Sequence, residues 1–321
     1  MHPTVRRLLL AALWVAVLGC AVWSVTRVFG LERGWPWVQL MAFTPYVAAA
    51  AVVVAAVALG TRRWVAGGVA VVAALALCVV VAPRAINDGR RAAGGPSLKV
   101  LSANLLAGNG DERQVLDLVR RLNVDVLALQ EFSPGDLTGL AEAGADEVLP
   151  YRALYPRDGT GGSALLSRHP LRERSVRTHA GGFLQAQATV DVPGAPPVLV
   201  ESVHPTAPWG APAMAYWERD LRDQPPATVD GPLRVLAGDF NATLDHAALR
   251  RLIDTGYRDA ASVVGSGLRP SWPYDEKWFM PGVTLDRVLA DRRIGVRAAR
   301  PYRIRGTDHK AFYAELVLPT A

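Results

Sequence analysis

The sequence predicts an α/β domain built on a mixed β-sheet and preceded by three transmembrane helices. Three observations carry that reading. The first 83 residues contain long apolar stretches at Leu8–Val28, Trp37–Leu59 and Trp64–Ala82, each near the ~20 residues a helix needs to cross a bilayer. Beyond residue 97, apolar runs of strand length alternate with segments of helical spacing. Several of the strand-like runs are separated by turns rather than helices, which favours a mixed sheet over a strictly parallel one.

The apolar region, residues 1–83, is expected to be a membrane anchor. Trp14, Trp23, Trp35, Trp37 and Trp64 lie in or near the three stretches, several of them at ends where aromatic belts form. A cleaved signal peptide would account for the first stretch alone, but not for three in succession. Both cysteines, Cys20 and Cys78, fall inside this region. The remainder of the chain therefore needs no disulfide and contains no cysteine cluster for zinc.

The net charge of +6 is unevenly placed. Up to residue 96 there are nine arginines against Glu32 and Asp88, so residues 97–321 are left close to neutral. The basic balance thus belongs to membrane flanks and is no argument for a nucleic-acid partner. Arg6 and Arg7 precede the first stretch, and Arg62 and Arg63 fill the loop between the second and third. Placing both on the cytoplasmic side leaves residues 97–321 outside the cell after three crossings, against the opposing pull of Arg84, Arg90 and Arg91. The chain is thus expected to be a multi-pass plasma-membrane protein with an extracellular domain. A second arginine concentration, Arg287, Arg292, Arg293, Arg297, Arg300, Arg303 and Arg305 with Lys310, is either a solvated face or a rim that attracts phosphate-bearing substrates.

Residues 84–96, with Asn87-Asp88-Gly89 and Gly94-Gly95, read as a linker. Ser97–Leu105 is the first strand. Asp111–Leu122 has Val115, Leu118, Val119 and Leu122 on one helical face, and Val124–Leu129 is the next strand. Asp158-Gly159-Thr160-Gly161-Gly162 is a tight turn into the strand Ser163–Ser167. It does not precede a helix and lacks a following Gly-Lys-Ser/Thr, which excludes a phosphate loop. Phe183–Val190 and Val198–Val203 are strands around Pro193-Gly194. Ala211–Leu221 and Asp245–Ile253 are helices, and Leu233–Ala237, Thr284–Leu289 and Ala311–Leu318 are strands.

Polar groups cluster at the ends of these strands. Gly238-Asp239-Phe240-Asn241 follows Leu233–Ala237, and its carboxylate and amide, two residues apart, can face one pocket. Gln130-Glu131 closes another apolar run, and Gly306-Thr307-Asp308-His309 precedes the last strand. Taken alone, Glu131 is an ordinary surface glutamate, Asn104 a turn residue, and Asp239 and Asn241 turn caps. Taken together, the order Asn104, Gln130-Glu131, His204, Gly238-Asp239-Phe240-Asn241, Asp286, Asp308-His309 resembles the endonuclease/exonuclease/phosphatase superfamily over roughly residues 97–319. The departures are mild. Asn104 stands in Ser-Ala-Asn-Leu-Leu rather than after Tyr or Trp, and the last motif begins with Thr307 rather than Ser.

The resemblance implies a four-layer α/β/β/α sandwich of two packed sheets flanked by helices. It also implies a Mg²⁺-dependent phosphoesterase, with Mn²⁺ as a substitute, in which Asn104, Glu131 and Asp308 lie in the metal zone. Asp239 would orient or deprotonate the attacking water, and Asn241 would hold that water or a transition-state oxygen. His309 would donate to a phosphate oxygen, with Asp286 fixing and charging it. His204 would bind phosphate or donate a proton, its following loop stiffened by Pro205 and Pro208. His179 and His246 match no motif and are expected at the surface or at caps. Tyr257 is expected in the core. The implied partners are a phosphoester substrate, nucleic acid or phospholipid, and the bilayer itself, with no obligate protein partner evident. The expected reaction is phosphodiester hydrolysis; a phospholipid or phosphoinositide phosphoesterase of sphingomyelinase type is the alternative. From another class, a non-catalytic phosphate-binding receptor domain would have no need for Asp239, Asp286 and His309 together.

Overall fold

Helices form at the amino-terminal end because apolar residues run unbroken for many turns. In the computed structural model, described over residues 2–89, 94–274 and 280–321, these are α1 (Pro3–Phe29), α2 (Trp37–Met41), α3 (Thr44–Gly60) and α4 (Trp64–Val81). The chain divides into two compact units: Met1–Pro83 with Leu244–Ala247, and Arg84–Thr243 with Ala248–Ala321.

In the first unit small residues make the helix contacts. Ala48, Ala51, Ala55 and Ala58 of α3 meet Ala66, Ala70, Ala73, Ala74 and Leu77 of α4. Larger side chains such as Val53, Val57, Val65, Val72 and Val79 stay exposed. The sequence predicts three spanning helices, yet two among the described residues are long and apolar enough to cross a membrane, one starting at Pro3 and one at Trp64. The expected helix over 37–59 is broken after Met41, and its longer part, α3, has 17 residues. The break has a local cause. Pro45 has no N–H to give a preceding turn and suits the first turn of a new helix.

The second unit begins β1 (Ser97–Asn104), α5 (Glu112–Leu122), β2 (Val126–Gln130), α6 (Pro134–Glu142), α7 (Ala145–Val148), β3 (Tyr151–Tyr155) and β4 (Ser163–Ser167). It continues β5 (Leu171–Thr178), β6 (Leu184–Val190), β7 (Val198–Val203), α8 (Met214–Arg222), β8 (Leu233–Asp239) and α9 (Ala247–Asp254). The last elements are β9 (Tyr257–Asp259), α10 (Ala260–Val263), β10 (Asp286–Asp291), β11 (Gly295–Arg303) and β12 (Lys310–Val317). Of the expected linker, residues 90–93, including Arg90 and Arg91, lie outside the described residues. Residues 84–89 are bonded to the second unit through Asp88 N–H to the Val263 carbonyl and Gly267 N–H to the Arg84 carbonyl.

Two six-stranded sheets result, with orders β11-β12-β1-β2-β4-β3 and β5-β6-β7-β8-β10-β9. Both are mixed, as expected. β1 and β2 are parallel, β7 and β8 are parallel, and the other pairs are antiparallel. Alternate side chains of the two sheets form one apolar core, including Val100, Ala128, Leu165, Val200, Val235, Val288 and Phe312. A second cluster covers the other face of the first sheet, where Val115, Leu118 and Val119 of α5 and Leu140 of α6 pack on Leu101, Leu127 and Tyr313.

The register brings the polar strand ends together. Asn104 pairs with Gln130 across β1 and β2, and Asp239 with Asp286 across β8 and β10. Asp286 opens β10, two residues later than the expected strand over 284–289, and pairs with Asp239. Gly238 is required where β7 and β8 meet, since a Cβ there would lie 2.7 Å from the Val203 carbonyl carbon and inside the envelope of its oxygen. Gly238→Ala is expected to cost about 1–3 kcal/mol through overpacking, read as a lowered urea midpoint.

Candidate active site

The site is built where β1, β2, β7, β8, β10 and the segment before β12 end or begin. Asn104 closes β1 and is buried. Its amide nitrogen donates to Glu131 Oε1 at 3.0 Å and to Asp239 Oδ2 at 3.2 Å, and its Oδ1 accepts from Leu106 N–H. One amide thus ties together carboxylates that come from the two sheets.

Glu131 follows β2 at φ 55°, and Asn241 follows β8 at φ 46°. Left-handed backbone at non-glycine residues costs about 1–2 kcal/mol each and persists where surrounding bonds over-determine it. Here Glu131 Oε2 accepts from Ala107 N–H at 2.8 Å. The Asn241 N–H donates to Asp239 Oδ1 at 2.8 Å, while its side-chain nitrogen donates to the Pro205 carbonyl at 3.0 Å.

His309 Nδ1 lies 3.0 Å from Asp286 Oδ2, and its Nε2 lies 3.7 Å from Asp239 Oδ2. Burial alone would push this imidazole down, but Asp286 and Asp239 outweigh it and hold His309 up at about 10. It is therefore an imidazolium at neutral pH, with Nδ1 donating to Asp286. His204 Nε2 is 3.8 Å from both Glu131 Oε1 and Asp239 Oδ2. Burial pushes it down to about 4, against the pull of Asp239, so it is neutral at pH 7. Its Nδ1 is buried without a hydrogen-bond partner among the described residues.

Burial also pushes Glu131 and Asp239 up, relieved by the Asn104 amide and His309 respectively. Buried carboxylates crowded in this way are costly unless a cation offsets them. Asp308 adds a further oxygen. Its Oδ2 accepts from Trp272 Nε1 at 2.8 Å, and its Oδ1 is buried with no hydrogen-bond donor among the described residues. An oxygen-rich set with an orphaned carboxylate oxygen suits a hard divalent ion. Asp239, Asp286 and His309 also place ligand atoms within 4.8 Å of one another, but there His309 already occupies Asp286.

All eight residues singled out in the sequence, Asn104, Glu131, His204, Asp239, Asn241, Asp286, Asp308 and His309, therefore meet in one cluster. Two expectations are corrected. His179 and His246, expected at the surface or at caps, are both buried, His246 directly before α9. Arg287 leaves the proposed arginine rim altogether, being buried against Asp259 at 3.2 Å, and Arg293, Arg297 and Arg305 pair with Asp291, Glu315 and Asp111. Tyr257 is in the core as expected.

Sequence reasoning missed the residues that brace the cluster. Thr307 Oγ1 donates to the Asn104 carbonyl and accepts from His309 N–H. Ser271 Oγ accepts from Leu285 and Asp286 N–H. The placing of Thr307 within Gly-Thr-Asp-His was a local signal for it; Ser271 had none, because its partners are fourteen and fifteen residues away.

Comparison with known proteins agrees with this geometry. Residues 101–309 match the model of the Endonuclease/Exonuclease/phosphatase family. No curated protein sequence shows a significant match. Among solved structures, an endonuclease/exonuclease/phosphatase from Beutenbergia cavernae DSM 12333 superposes with a TM-score of 0.56 at 21% identity, over 71% of this chain and 72% of that one. TDP2 from C. elegans superposes with a TM-score of 0.54 at 20% identity, over 76% of this chain and 84% of that one. These likenesses concern the fold.

Proposed function

From the premise that the chain belongs to the endonuclease/exonuclease/phosphatase family, and is thereby a metal-dependent hydrolase of phosphoester bonds, we propose a membrane-tethered, Mg²⁺-dependent phosphodiesterase. Its catalytic domain, residues 97–321, would be the four-layer α/β/β/α sandwich, behind a membrane anchor over 1–83 and a linker over 84–96. The observation that carries the reading is the Asn104 amide joining Glu131 to Asp239 beside the Asp286–His309 pair.

Glu131, Asn104 and Asp308 would hold the ion, with Mn²⁺ as a substitute. When bound, Mg²⁺ supplies positive charge against the phosphoryl oxygens. Asp239 is the base for the attacking water, its Oδ1 steadied by Asn241 N–H. An amide nitrogen carries two hydrogens, so Asn241 can hold Pro205 and still donate to a substrate oxygen. His309, kept charged by Asp286, donates from Nε2 to a phosphoryl oxygen as charge develops. His204, neutral and 3.8 Å from two of the carboxylates, binds phosphate through Nε2–H. EDTA is expected to stop turnover and added Mg²⁺ or Mn²⁺ to restore it; turnover undiminished in EDTA would overturn the metal assignment.

Nucleic acid is the first substrate proposed, and phospholipid is the second reading, favoured by the apolar helices. Parallel assays on plasmid DNA, RNA, phosphoinositides and sphingomyelin discriminate them. Cleavage confined to phospholipid would replace the first reading with the second. Failure on every phosphoester with either metal would favour a phosphate-binding receptor domain.

The membrane reading rests on burial inverted relative to a water-soluble bundle, with alanines inside and valines outside. α3, at 1.5 Å per residue about 25 Å long, packs along α4 from the Ala58–Ala66 end to the Ala48–Leu77 end. If α4 crosses, α3 returns through the same layer, making three crossings. Arg6-Arg7 and Arg62-Arg63 then share the cytoplasmic side and residues 97–321 face outward at the plasma membrane. An alkaline phosphatase fusion after Ala321 is expected to be active; a fluorescent, phosphatase-negative fusion of green fluorescent protein would reverse the orientation.

A further inference from the structure

Among the described residues His204 Nδ1 has no hydrogen-bond partner, and the backbone that carries the ring is held instead. Three successive residues are pinned. His204 N–H donates to Gln185 Oε1 at 2.9 Å. The Pro205 carbonyl accepts from Asn241. Thr206 is held twice by one carboxylate oxygen, its N–H reaching Asp220 Oδ2 at 3.0 Å and its Oγ1 the same atom at 2.6 Å.

Asp220 sits on α8 and is 1% exposed. A fully buried carboxylate on an amphipathic helix is expensive unless it is paired. Its other oxygen lies 3.5 Å from His179 Nδ1. His179 Nε2 in turn lies 3.2 Å from Gln224 Nε2. Gln224 joins Gln185 to α8, donating to Gln185 Oε1 and to the Asp220 backbone carbonyl, each at 3.0 Å, and Gln185 and Asp220 both grip the segment that carries His204. On the site face the ring makes an edge contact with Phe183, centroids 4.8 Å apart.

We propose that Asp220 is a positioning residue for phosphoester hydrolysis, acting on His204 through Thr206. The inference rests on His204 serving the reaction as set out above. A carboxylate gripping an N–H and a hydroxyl of one residue fixes both the course of the backbone and the Thr206 rotamer, which stacking of loop side chains alone would not do. Displacement of a group by about 1 Å lowers turnover on the order of a hundredfold without touching substrate.

The test uses the full-length protein in detergent, Mg²⁺, and bis(p-nitrophenyl) phosphate as probe. Asp220→Ala is expected to lower kcat roughly ten- to a hundredfold with KM unchanged. Thr206→Val keeps the shape and removes the hydroxyl, guarding against a folding failure in Asp220→Ala; it is expected to lower kcat in the same sense, and Thr206→Ser to restore it. In a His204→Ala background, Thr206→Val is expected to cause no further loss. Wild-type kcat in Asp220→Ala and Thr206→Val, or a Thr206→Val loss that multiplies with His204→Ala, overturns the positioning role while leaving His204 in place. Wild-type turnover by His204→Ala would instead remove His204 from the reaction, and the positioning role with it.

Discussion

Glu131→Ala and Asp239→Ala are each expected to abolish phosphodiester turnover while leaving the protein folded. Both side chains are buried where the Asn104 amide bridges the two sheets, and each variant loses a carboxylate the chemistry needs. Asp239 lies within reach of the Asn104 amide, His309 and His204, at the centre of the cluster. Removing a group that acts in the transition state lowers kcat on the order of a hundredfold or more. Because burial pushes both carboxyls up in the metal-free protein, their loss relieves crowding and is not expected to lower the melting temperature. The measurement is kcat on the full-length protein with Mg²⁺, beside a thermal melt. Turnover near wild type in either variant would remove that residue from the mechanism.

Arg287→Met is expected to have the largest effect on stability. Arg287 is 1% exposed, and its guanidinium donates to Asp259 Oδ1 at 3.2 Å, to the Thr284 carbonyl at 2.6 Å and to the Ala242 carbonyl at 3.4 Å. Asp259 also caps α10 by accepting from Ser262 N–H at 2.9 Å. Methionine fills much of the volume but leaves Asp259 charged and buried and two carbonyls with a donor lost. Breaking a buried pair from one side costs about 3–5 kcal/mol, which for a unit of this size lowers the melting temperature by roughly 10 °C. The double variant Arg287→Met with Asp259→Asn is expected to recover part of that loss, since no unpaired charge is left behind. A melting temperature equal to wild type in the single variant would show the pair to be dispensable. Arg287 is also next to Asp286 in β10, so its loss is expected to slacken the His309 partner as well as the core.

The strands missed by sequence reasoning show where pattern reading stops. They are β3, β5, β9 and β11, and these are the outermost strands of the two sheets. An edge strand is paired on one side, faces water, and carries charge that blocks pairing with other chains. β5, Leu-Arg-Glu-Arg-Ser-Val-Arg-Thr, is mostly exposed along its length. Interior strands bury both faces and so read as apolar runs, which is why β1, β2, β6, β7, β8 and β12 were legible. The break between α2 and α3 was also written locally, at Pro45, but hydropathy averaged over the stretch hides it.

The chemistry-bearing residues were legible for the same reason as the interior strands: a polar group at the end of an apolar run stands out against it. Residue type and order, read through the resemblance to the endonuclease/exonuclease/phosphatase superfamily, selected all eight members of the cluster. Their meeting was decided by strand direction. β10 runs against β8 and β12 against β1, so Asp286 and His309, at strand beginnings, arrive at the edge where Asp239 and Asn104 end theirs. Tertiary structure likewise turned Arg287 from a rim cation into a core ion pair, and His179 from an expected surface residue into part of the network behind His204. Local sequence carries backbone preference and hydrophobic period. It does not carry which buried charge will find its counter-charge tens of residues away, because that pairing is set by sheet register and the desolvation it imposes.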